Sequence, residues 1–297
     1  MSYIKRLIDT ELQRKLAASG AVLIRGAKAC GKTESAKQFA KSILQVDRDE
    51  NIPLLFETAP KRILMGETPR LIDEWQVLPK LWDHVRHEID ERQQNAQFIL
   101  TGSAHPEENA KMHSGAGRFT ILDMRTMSWQ ELGLSSGKIS LADLFKSKQI
   151  DIYDEPTSID LIIGQLIKGG FPRQMNSSVA QAADINRAYV ELLADVDMSR
   201  VSQTKRDPLK VRSLLKSLAR NTSTLVDNAV LEKDIKEHET KSLSRPTIYD
   251  YLEVLQRLMI LEDQPAWNTH IRSTHTLRNS AKRHFTDVSL AAAALGA

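Results

Sequence analysis

The chain contains 297 residues, about twice the usual length of one domain, so we expect two or three folded units. Its 41 Lys and Arg against 38 Asp and Glu leave a net charge of +3, which excludes a purely basic nucleic-acid-binding tail and an acidic disordered segment. The single cysteine excludes a disulfide framework and a zinc site built from several cysteines. No apolar run reaches the roughly 20 residues that span a bilayer, so we expect a soluble, cytoplasmic protein without a membrane partner.

Short apolar runs alternate with helical patterns in the first half of the chain, which is typical of a parallel sheet wrapped by helices. The periodicity predicts a helix over residues 32–44 and another after Leu78, and the Ser128 and Glu131 spacing of a capping box predicts a further helix start. Strands are predicted at residues 21–25, 43–47, 70–73, 97–101 and 119–124. These elements predict a first unit that spans residues 1–138.

From residue 139 onward the apolar periodicity is helical. Serines stand where helices over residues 140–145, 158–168 and 178–196 would begin, and Gly169 stands where the second would end. We interpret residues 139–200 as a helical lid. A polar linker then leads to helical patterns around residues 211–218, 230–236 and 246–258 and a short strand at 260–263, an order that favours a winged helix over residues 201–265.

The strongest motif is G-x-x-x-x-G-K-[ST], placed between the first predicted strand and the first predicted helix. Its glycines let backbone N–H groups and the helix N-terminus face phosphate oxygens. Lys32 is expected to reach the β- and γ-phosphates and Thr33 to hold Mg²⁺. The predicted nucleotide-binding residues are Gly26, Ala27, Lys28, Ala29, Cys30, Gly31, Lys32 and Thr33.

An acidic pair, Asp73 and Glu74, follows the apolar run at residues 70–72. Asp73 would hold the Mg²⁺ shell, and Glu74 would orient or deprotonate the attacking water. The alternative is a solvated acidic turn after a buried strand. The position downstream of a phosphate loop favours hydrolysis.

Two further candidates lie near other predicted strands. Polar residues at 101–103 follow an apolar run, where a side chain can hydrogen-bond the γ-phosphate or the water. Arg118 directly precedes the strand predicted at 119–124 and would stabilise the charge of the transition state, on this or a neighbouring subunit. The alternative for Arg118 is an ordinary surface arginine.

Several of these segments together resemble a known group of proteins. Residues 26–33, 71–76, 98–104, 115–119 and 128–133 resemble the uncharacterised prokaryotic AAA-superfamily ATPases that carry a C-terminal domain of unknown function related in fold to restriction endonucleases. The resemblance covers most of the chain. It implies the α/β fold class, with a P-loop NTPase (AAA-like) parallel sheet and a helical lid, followed by an α-rich winged-helix domain.

The resemblance also implies roles for individual residues. Lys32 and Thr33 would be the Walker A residues, and Asp73 and Glu74 the Walker B residues. Ser103 would be sensor 1, Arg118 a candidate arginine finger, and Arg173 a lid arginine near the nucleotide. It implies ATP as the nucleotide, and the sequence lacks the guanine-specific N-K-x-D motif.

The end of the chain departs from the family pattern. Residues 283–297 resemble only the opening strand and helix of the family's C-terminal domain, with Val288 where a proline is usual. An apolar, Leu- and Ala-rich end needs a partner to cover it. We therefore interpret residues 266–297 as a basic linker and the start of a truncated C-terminal domain, and we assign no nuclease chemistry to the chain.

Positive charge is concentrated in the last third. Residues 200–285 carry 16 Lys and Arg against 10 Asp and Glu. A winged helix there would place the helix at 246–258 in a major groove of double-stranded DNA, with Arg245, Thr247, Tyr249 and Arg257 facing outward. The alternative is that this unit packs against protein, which the neighbouring acidic residues favour.

These patterns favour an Mg²⁺-dependent ATPase in which hydrolysis moves the lid and winged helix relative to the sheet. Lys32, Glu74, Ser103 and Arg118 are its predicted catalytic residues. A homo-oligomer and double-stranded DNA are the partners to test besides ATP. The alternatives are a nucleotide-dependent switch or interaction protein with little turnover and a small-molecule kinase, which uses the same phosphate loop.

Overall fold

The computed structural model describes residues 3–102, 115–153, 157–201, 204–267 and 281–297. Ser103 therefore lies outside the described residues. Within them, no helix combines the length and apolar character needed to cross a membrane.

A five-stranded parallel sheet organises the first unit. Its strands are β1 (Ala21–Arg25), β2 (Ser42–Gln45), β3 (Arg70–Asp73), β4 (Phe98–Gly102) and β5 (Phe119–Asp123). They lie in the order β2-β3-β4-β1-β5, and every neighbouring pair is parallel. The predicted parallel sheet is confirmed, and the carboxyl ends of all five strands meet at one edge.

The sheet is covered on both faces, which explains the unbroken apolar runs of its strands. Side chains alternate along β1, so Ala21 and Leu23 join the core on one face while Val22 and Ile24 join the core on the other. The first face packs against α3 (Ile52–Thr58), α4 (Pro60–Leu64) and α5 (Leu81–Arg92), and the second against α1 (Ile8–Ala18) and α2 (Lys32–Lys37).

Helix α2 is shorter than its periodicity predicts. It ends at Lys37, and residues 42–45 form β2 instead of a helical continuation to residue 44. The reason is tertiary, because Ser42 pairs with Arg70 and Leu44 with Ile72 in the ladder with β3. Strand pairing therefore overrides the local helical pattern.

The capping box at Ser128 forms without starting a helix. The Ser128 N–H donates to the Glu131 carboxylate over 2.7 Å, and the Glu131 N–H donates to the Ser128 hydroxyl over 3.2 Å. These two bonds close a turn. The other Glu131 oxygen accepts hydrogen bonds from the Arg6 side chain and the Leu7 N–H of the N-terminal segment. A turn bound to that distant segment therefore stands where a helix is predicted.

The lid region is helical, as its periodicity indicates. It contains α6 (Leu141–Phe145), α7 (Ile159–Lys168), α8 (Val179–Leu192), a π-helical turn (Leu193–Asp197) and α9 (Met198–Arg200). Ser158 caps α7, a capping box of Ser178 and Gln181 opens α8, and Gly169 ends α7 with a φ of 73°. The predicted caps at Ser158 and Gly169 are confirmed, whereas the Ser140 side chain at the start of α6 makes no capping hydrogen bond.

Three helices and a two-stranded sheet follow. They are α10 (Pro208–Arg220), α11 (Asn228–His238), α12 (Arg245–Arg257), β6 (Leu261–Gln264) and β7 (Lys282–Phe285), which pairs antiparallel with β6. A β-bridge joins Thr224 to Arg283 and so adds a third extended segment. On α12, Arg245 and Tyr249 are exposed as predicted, but Thr247 and Arg257 are half-buried, and Arg257 donates to the Val201 carbonyl.

The last helix, α13 (Val288–Leu295), packs against α7, α8 and α10. Leu290, Ala291 and Ala294 lie in the same hydrophobic core as α8 and α10–α12. In the described part of residues 266–297, β7 therefore pairs with β6 and α13 packs into this core. The apolar face of α13 is covered within the chain.

Candidate nucleotide site

The phosphate loop begins at the carboxyl end of β1 and leads directly into α2. A Cβ atom on Gly26 would stand 2.2 Å from the Met124 carbonyl oxygen, so only glycine fits against β5 there. Gly31 has a φ of 105°, which an L side chain rarely adopts. The two motif glycines are thus required by close approach and by backbone conformation.

Lys32 points back into the loop that precedes it. Its side chain is buried, and its ammonium donates to the carbonyl oxygens of Gly26 and Ala27, each over 2.8 Å. Phosphate oxygens of a bound nucleotide would replace these neutral acceptors with charged ones, which form stronger hydrogen bonds.

Residues from three elements meet at Asp73. The Thr33 hydroxyl of α2 donates to Asp73 Oδ1 over 2.8 Å, and the Thr101 hydroxyl of β4 donates to the same oxygen. Asp73 is buried at the end of β3. The parallel sheet therefore brings together side chains separated by 40 and 28 residues in sequence.

Glu74 leaves the strand in a left-handed conformation, with a φ of 54°. The Gln76 amide donates to its carboxylate. Burial raises the pKa of Glu74 above its ordinary value, against opposing contributions from the Gln76 hydrogen bond and the charge of Lys32. This half-buried carboxyl group has the raised pKa that suits a general base.

A cavity of about 1040 Å³ connects these groups. Lys32, Thr33 and Glu74 line it, together with Tyr3, Ile4 and Arg6 of the N-terminal segment. The segment between α7 and α8 also contributes lining residues, namely Pro172, Arg173, Met175 and Asn176. The cavity therefore lies between the sheet and the segment that joins α7 to α8, and Arg173 is among its lining residues.

Arg118 lies at the other edge of the sheet. Its carbonyl accepts the Ala21 N–H at the start of β1, and its guanidinium pairs with Asp90 over 2.8 Å. The five-residue β1 separates that end from the phosphate loop by roughly 16 Å. The structure thus does not bring Arg118 to the phosphate loop of its own chain.

Sequence reasoning missed several residues of this site. Gln76 stands two positions after Glu74, so local spacing could have found it. Thr101 belongs to the polar group at residues 101–103, from which the resemblance singles out Ser103. Arg6 hydrogen-bonds the Cys30 carbonyl across 24 residues, and no local pattern signals such a contact.

The helical part of the chain that begins at α7 contacts the phosphate loop directly. Lys28 of the loop forms an ion pair with Asp197 in the π-helical turn, and the Tyr189 hydroxyl donates to the Lys28 carbonyl over 3.4 Å. Ala27 belongs to the same hydrophobic core as Phe171. The loop is therefore held by both the sheet and the helical unit.

Comparisons with known families assign the two halves separately. Residues 18–133 match the family model described as AAA domain, and residues 159–297 match a domain of unknown function (DUF8612). The second match begins at the first residue of α7 and covers every element described after it, but not α6. No curated protein matches the chain.

Among solved structures, the Walker-type ATPase PABY2304 of Pyrococcus abyssi superposes with a TM-score of 0.58 at 12% identity, over 98% of this chain and 96% of that chain. Aeropyrum pernix ORC1 in complex with DNA gives a TM-score of 0.33 at 14% identity, over 98% and 92% of the two chains. AMPPCP-bound DnaA from Aquifex aeolicus gives 0.31 at 12%, over 84% and 86%. The last two similarities are too weak to carry an argument. The fold is that of an α/β P-loop NTPase, and the part of the chain that resembles an AAA domain is residues 18–133.

Proposed function

We propose that the protein is an Mg²⁺-dependent ATPase that binds ATP at residues 26–33 and hydrolyses it with Glu74 as the base. The observation that carries the proposal is the cluster at the carboxyl edge of the sheet. There the Thr33 hydroxyl lies 2.8 Å from Asp73, while Lys32 and Glu74 line the same cavity. A phosphate loop, a metal-binding pair and a base are the parts that nucleotide hydrolysis requires.

Thr33 and Asp73 suit magnesium. Mg²⁺ prefers oxygen ligands and keeps several waters, so one hydroxyl and one carboxylate suffice beside the phosphates. No group of three or more His, Cys, Asp or Glu side chains in the described ranges forms a dedicated metal cage. When bound, the ion would neutralise charge on the β- and γ-phosphates.

Glu74 would accept the proton from the attacking water at its carboxylate. The water oxygen bonds to the γ-phosphorus as the bond from that phosphorus to the β–γ bridging oxygen breaks, and ADP and phosphate leave. Lys32 would hold the β- and γ-oxygens, and Gln76 orients the carboxylate. Ser103, as sensor 1, stays a prediction outside the described residues.

Arg118 would act in a homo-oligomer. Its place at the amino edge of the sheet and its 40% exposed side chain support contact with the nucleotide of a neighbouring subunit. In the protomer the guanidinium is held by Asp90. Oligomerisation would exchange that partner for phosphate.

Hydrolysis would move the helical unit relative to the sheet. The Lys28–Asp197 ion pair supports this coupling, because phosphates entering the loop would compete with Asp197 for the lysine. We retain residues 1–138 as the ATPase core, 139–200 as the lid and 201–265 as a winged helix. The order α10, Thr224 bridge, α11, α12 and β6–β7 supports the last assignment.

Double-stranded DNA and a protein remain alternative partners for the winged helix. Exposed Arg245 and Tyr249 on α12 favour DNA, whereas exposed Asp250 and Glu253 on the same helix favour protein packing. Arg245 also pairs with Glu232 of α11. The charge on this face is therefore balanced.

Phosphate release from ATP tests the proposal. Glu74→Gln should retain ATP binding and reduce turnover by about 100-fold or more, because the base is lost while the phosphate contacts stay. Glu91→Gln is the matched control, since Glu91 is an exposed carboxylate of α5 that pairs with Lys61. Undiminished hydrolysis by Glu74→Gln would refute the mechanism.

The same assay separates the alternatives. Tight ATP retention with almost no turnover in the wild type would identify a nucleotide-dependent switch, and phosphate transfer to an added acceptor would identify a kinase. Stimulation by double-stranded DNA that weakens as salt rises would identify DNA as the partner. Hydrolysis indifferent to DNA would favour protein packing.

A further inference from the structure

A buried arginine joins the N-terminal segment to the phosphate loop. Arg6 precedes α1, and its side chain is only 5% exposed. Its Nη1 donates to the Cys30 carbonyl, its Nη2 to the Arg125 carbonyl and its Nε to Glu131, each over 2.9 Å. One guanidinium thus ties the loop to the segment that follows β5.

Glu131 holds that guanidinium in place. It is equally buried, and it also accepts the Leu7 N–H over 2.6 Å and the Ser128 N–H over 2.7 Å. Burial would raise the pKa of Glu131, but the backbone donors and Arg6 outweigh it and leave the pKa below its ordinary value. The carboxylate is therefore charged at neutral pH and orients Arg6 firmly.

The contact with Cys30 determines the direction of the next peptide N–H. A trans peptide is planar, and its C=O and N–H point in opposite directions. Since Arg6 binds the Cys30 carbonyl, the Gly31 N–H is directed away from Arg6. The guanidinium lies close to this peptide, since its Nη1 would stand 3.2 Å from a Cβ atom on Gly31.

Stability alone is a weak reason for this pair. Burying an ion pair costs about as much desolvation free energy as the attraction returns, and apolar replacements are often as stable. Preorganised N–H groups, by contrast, strengthen phosphate binding without reorganisation of the loop. The arrangement is thus better explained by loop geometry.

We propose that Arg6, oriented by Glu131, is a positioning residue that holds the Cys30–Gly31 peptide so that its N–H faces the phosphates of the bound nucleotide. The inference rests on the proposed nucleotide site. It assigns a function to the segment before α1 and to the turn at residues 128–132, neither of which belongs to the phosphate-loop motif.

Affinity for a fluorescent ATP analogue tests the inference in the full chain. The variants are Arg6→Gln, Glu131→Gln and the double variant. Arg92→Gln is the matched control, because Arg92 also pairs with a mostly buried glutamate, Glu88, and donates to the Leu64 carbonyl, yet lies away from the loop. Thermal unfolding without nucleotide measures the stability of every variant.

Arg6→Gln is expected to weaken nucleotide binding by about tenfold or more, because a charged hydrogen bond to the loop is lost. kcat at saturating ATP should stay within about threefold of wild type, since bound nucleotide restores the loop. Glu131→Gln should have a smaller effect of the same kind. The double variant should bind no more weakly than Arg6→Gln, because Glu131 acts through Arg6.

Arg6→Lys provides a second readout that does not depend on large destabilisation. Lysine can reach one carbonyl but cannot bind Cys30, Arg125 and Glu131 together, so it should restore affinity only in part. Equal affinity of Arg6→Gln and wild type would overturn the inference, as would an equal loss in Arg92→Gln. A wild-type protein that binds no nucleotide would instead refute the proposed function.

Discussion

The two edges of the parallel sheet differ in how they hold their charged residues. At the carboxyl edge, Lys32 and Asp73 are buried and bound to the loop carbonyls or to Thr33 and Thr101. At the amino edge, Arg118 and Asp90 form an exposed ion pair. Exposed pairs contribute little stability, so the amino edge can exchange partners while the carboxyl edge stays preorganised.

Under the proposed function, this contrast means that the two edges of one sheet would serve two different purposes. The carboxyl ends of parallel strands lie at the same edge of the sheet. The phosphate loop, the acidic pair and the Thr101 hydroxyl are therefore brought together by the sheet itself. At the amino ends, the Arg118 side chain is 40% exposed, so the second subunit of the proposed homo-oligomer would be able to reach it. Three experiments can test this difference between the two edges.

Arg118→Ala is expected to have the largest effect. If the arginine completes a neighbour's site, turnover falls by about 1000-fold while ATP binding stays unchanged. Mixing Arg118→Ala with Glu74→Gln should restore activity, because mixed assemblies contain sites with an intact base and an intact arginine. Phosphate release from the mixture measures this, with Arg14→Ala on α1 as an exposed control. Full activity of Arg118→Ala, or no recovery on mixing, would reject the trans role.

Lys32→Ala should act within the same chain. Loss of the ammonium removes a clamp on the phosphates, so kcat/KM for ATP should fall by about 100-fold or more. Unlike Arg118→Ala, this variant should also lose affinity for the ATP analogue, because Lys32 lies inside the loop. Lys61→Ala is the control, since Lys61 pairs with Glu91 on the surface. Unchanged nucleotide affinity would contradict the assignment of the loop.

The pH dependence of turnover should give the smallest effect. Glu74 must be a carboxylate to accept a proton, so activity should be lost as pH falls through its pKa. Because burial raises that pKa, the acidic limb of the pH–activity profile should lie at higher pH than for an ordinary glutamate. Gln76→Leu removes a hydrogen bond that lowers the pKa of Glu74, so the acidic limb of the profile should move to still higher pH. A pH profile of kcat measures the shift, with Gln94→Leu as the exposed control. A limb that stays in place would show that Gln76 does not tune Glu74.

Much of the first unit could be predicted from residue patterns. The strand at residues 21–25 and the strand at 70–73 have the predicted bounds, because buried apolar runs bounded by polar residues leave little choice. The residue pattern predicts a longer helix α2 than the structure has. It also predicts a helix at Ser128, where the structure has a turn. In both places a contact with a distant segment, β3 or the N-terminal segment, decides the local structure.

The candidate functional residues also fall into two groups, those that a local pattern predicts and those that only a contact between distant segments brings together. Lys32, Thr33, Asp73 and Glu74 are predicted by motif and strand-end position, and their site roles await the tests above. Arg6 and Glu131 have no such signal, since they lie 125 residues apart and neighbour no motif glycine in sequence. The same holds for the Lys28–Asp197 pair, which spans 169 residues.

By itself, the sequence predicted most strands and helices and the phosphate-loop motif, because period, caps and phosphate-loop spacing are local properties of the chain. Only the tertiary structure decided that Arg118 lies at the amino edge of the sheet and that Arg6 hydrogen-bonds the phosphate loop. It also decided that α13 packs into the same hydrophobic core as α8 and α10–α12. These facts depend on strand order and helix packing, which arise from burying apolar faces that are distant in sequence.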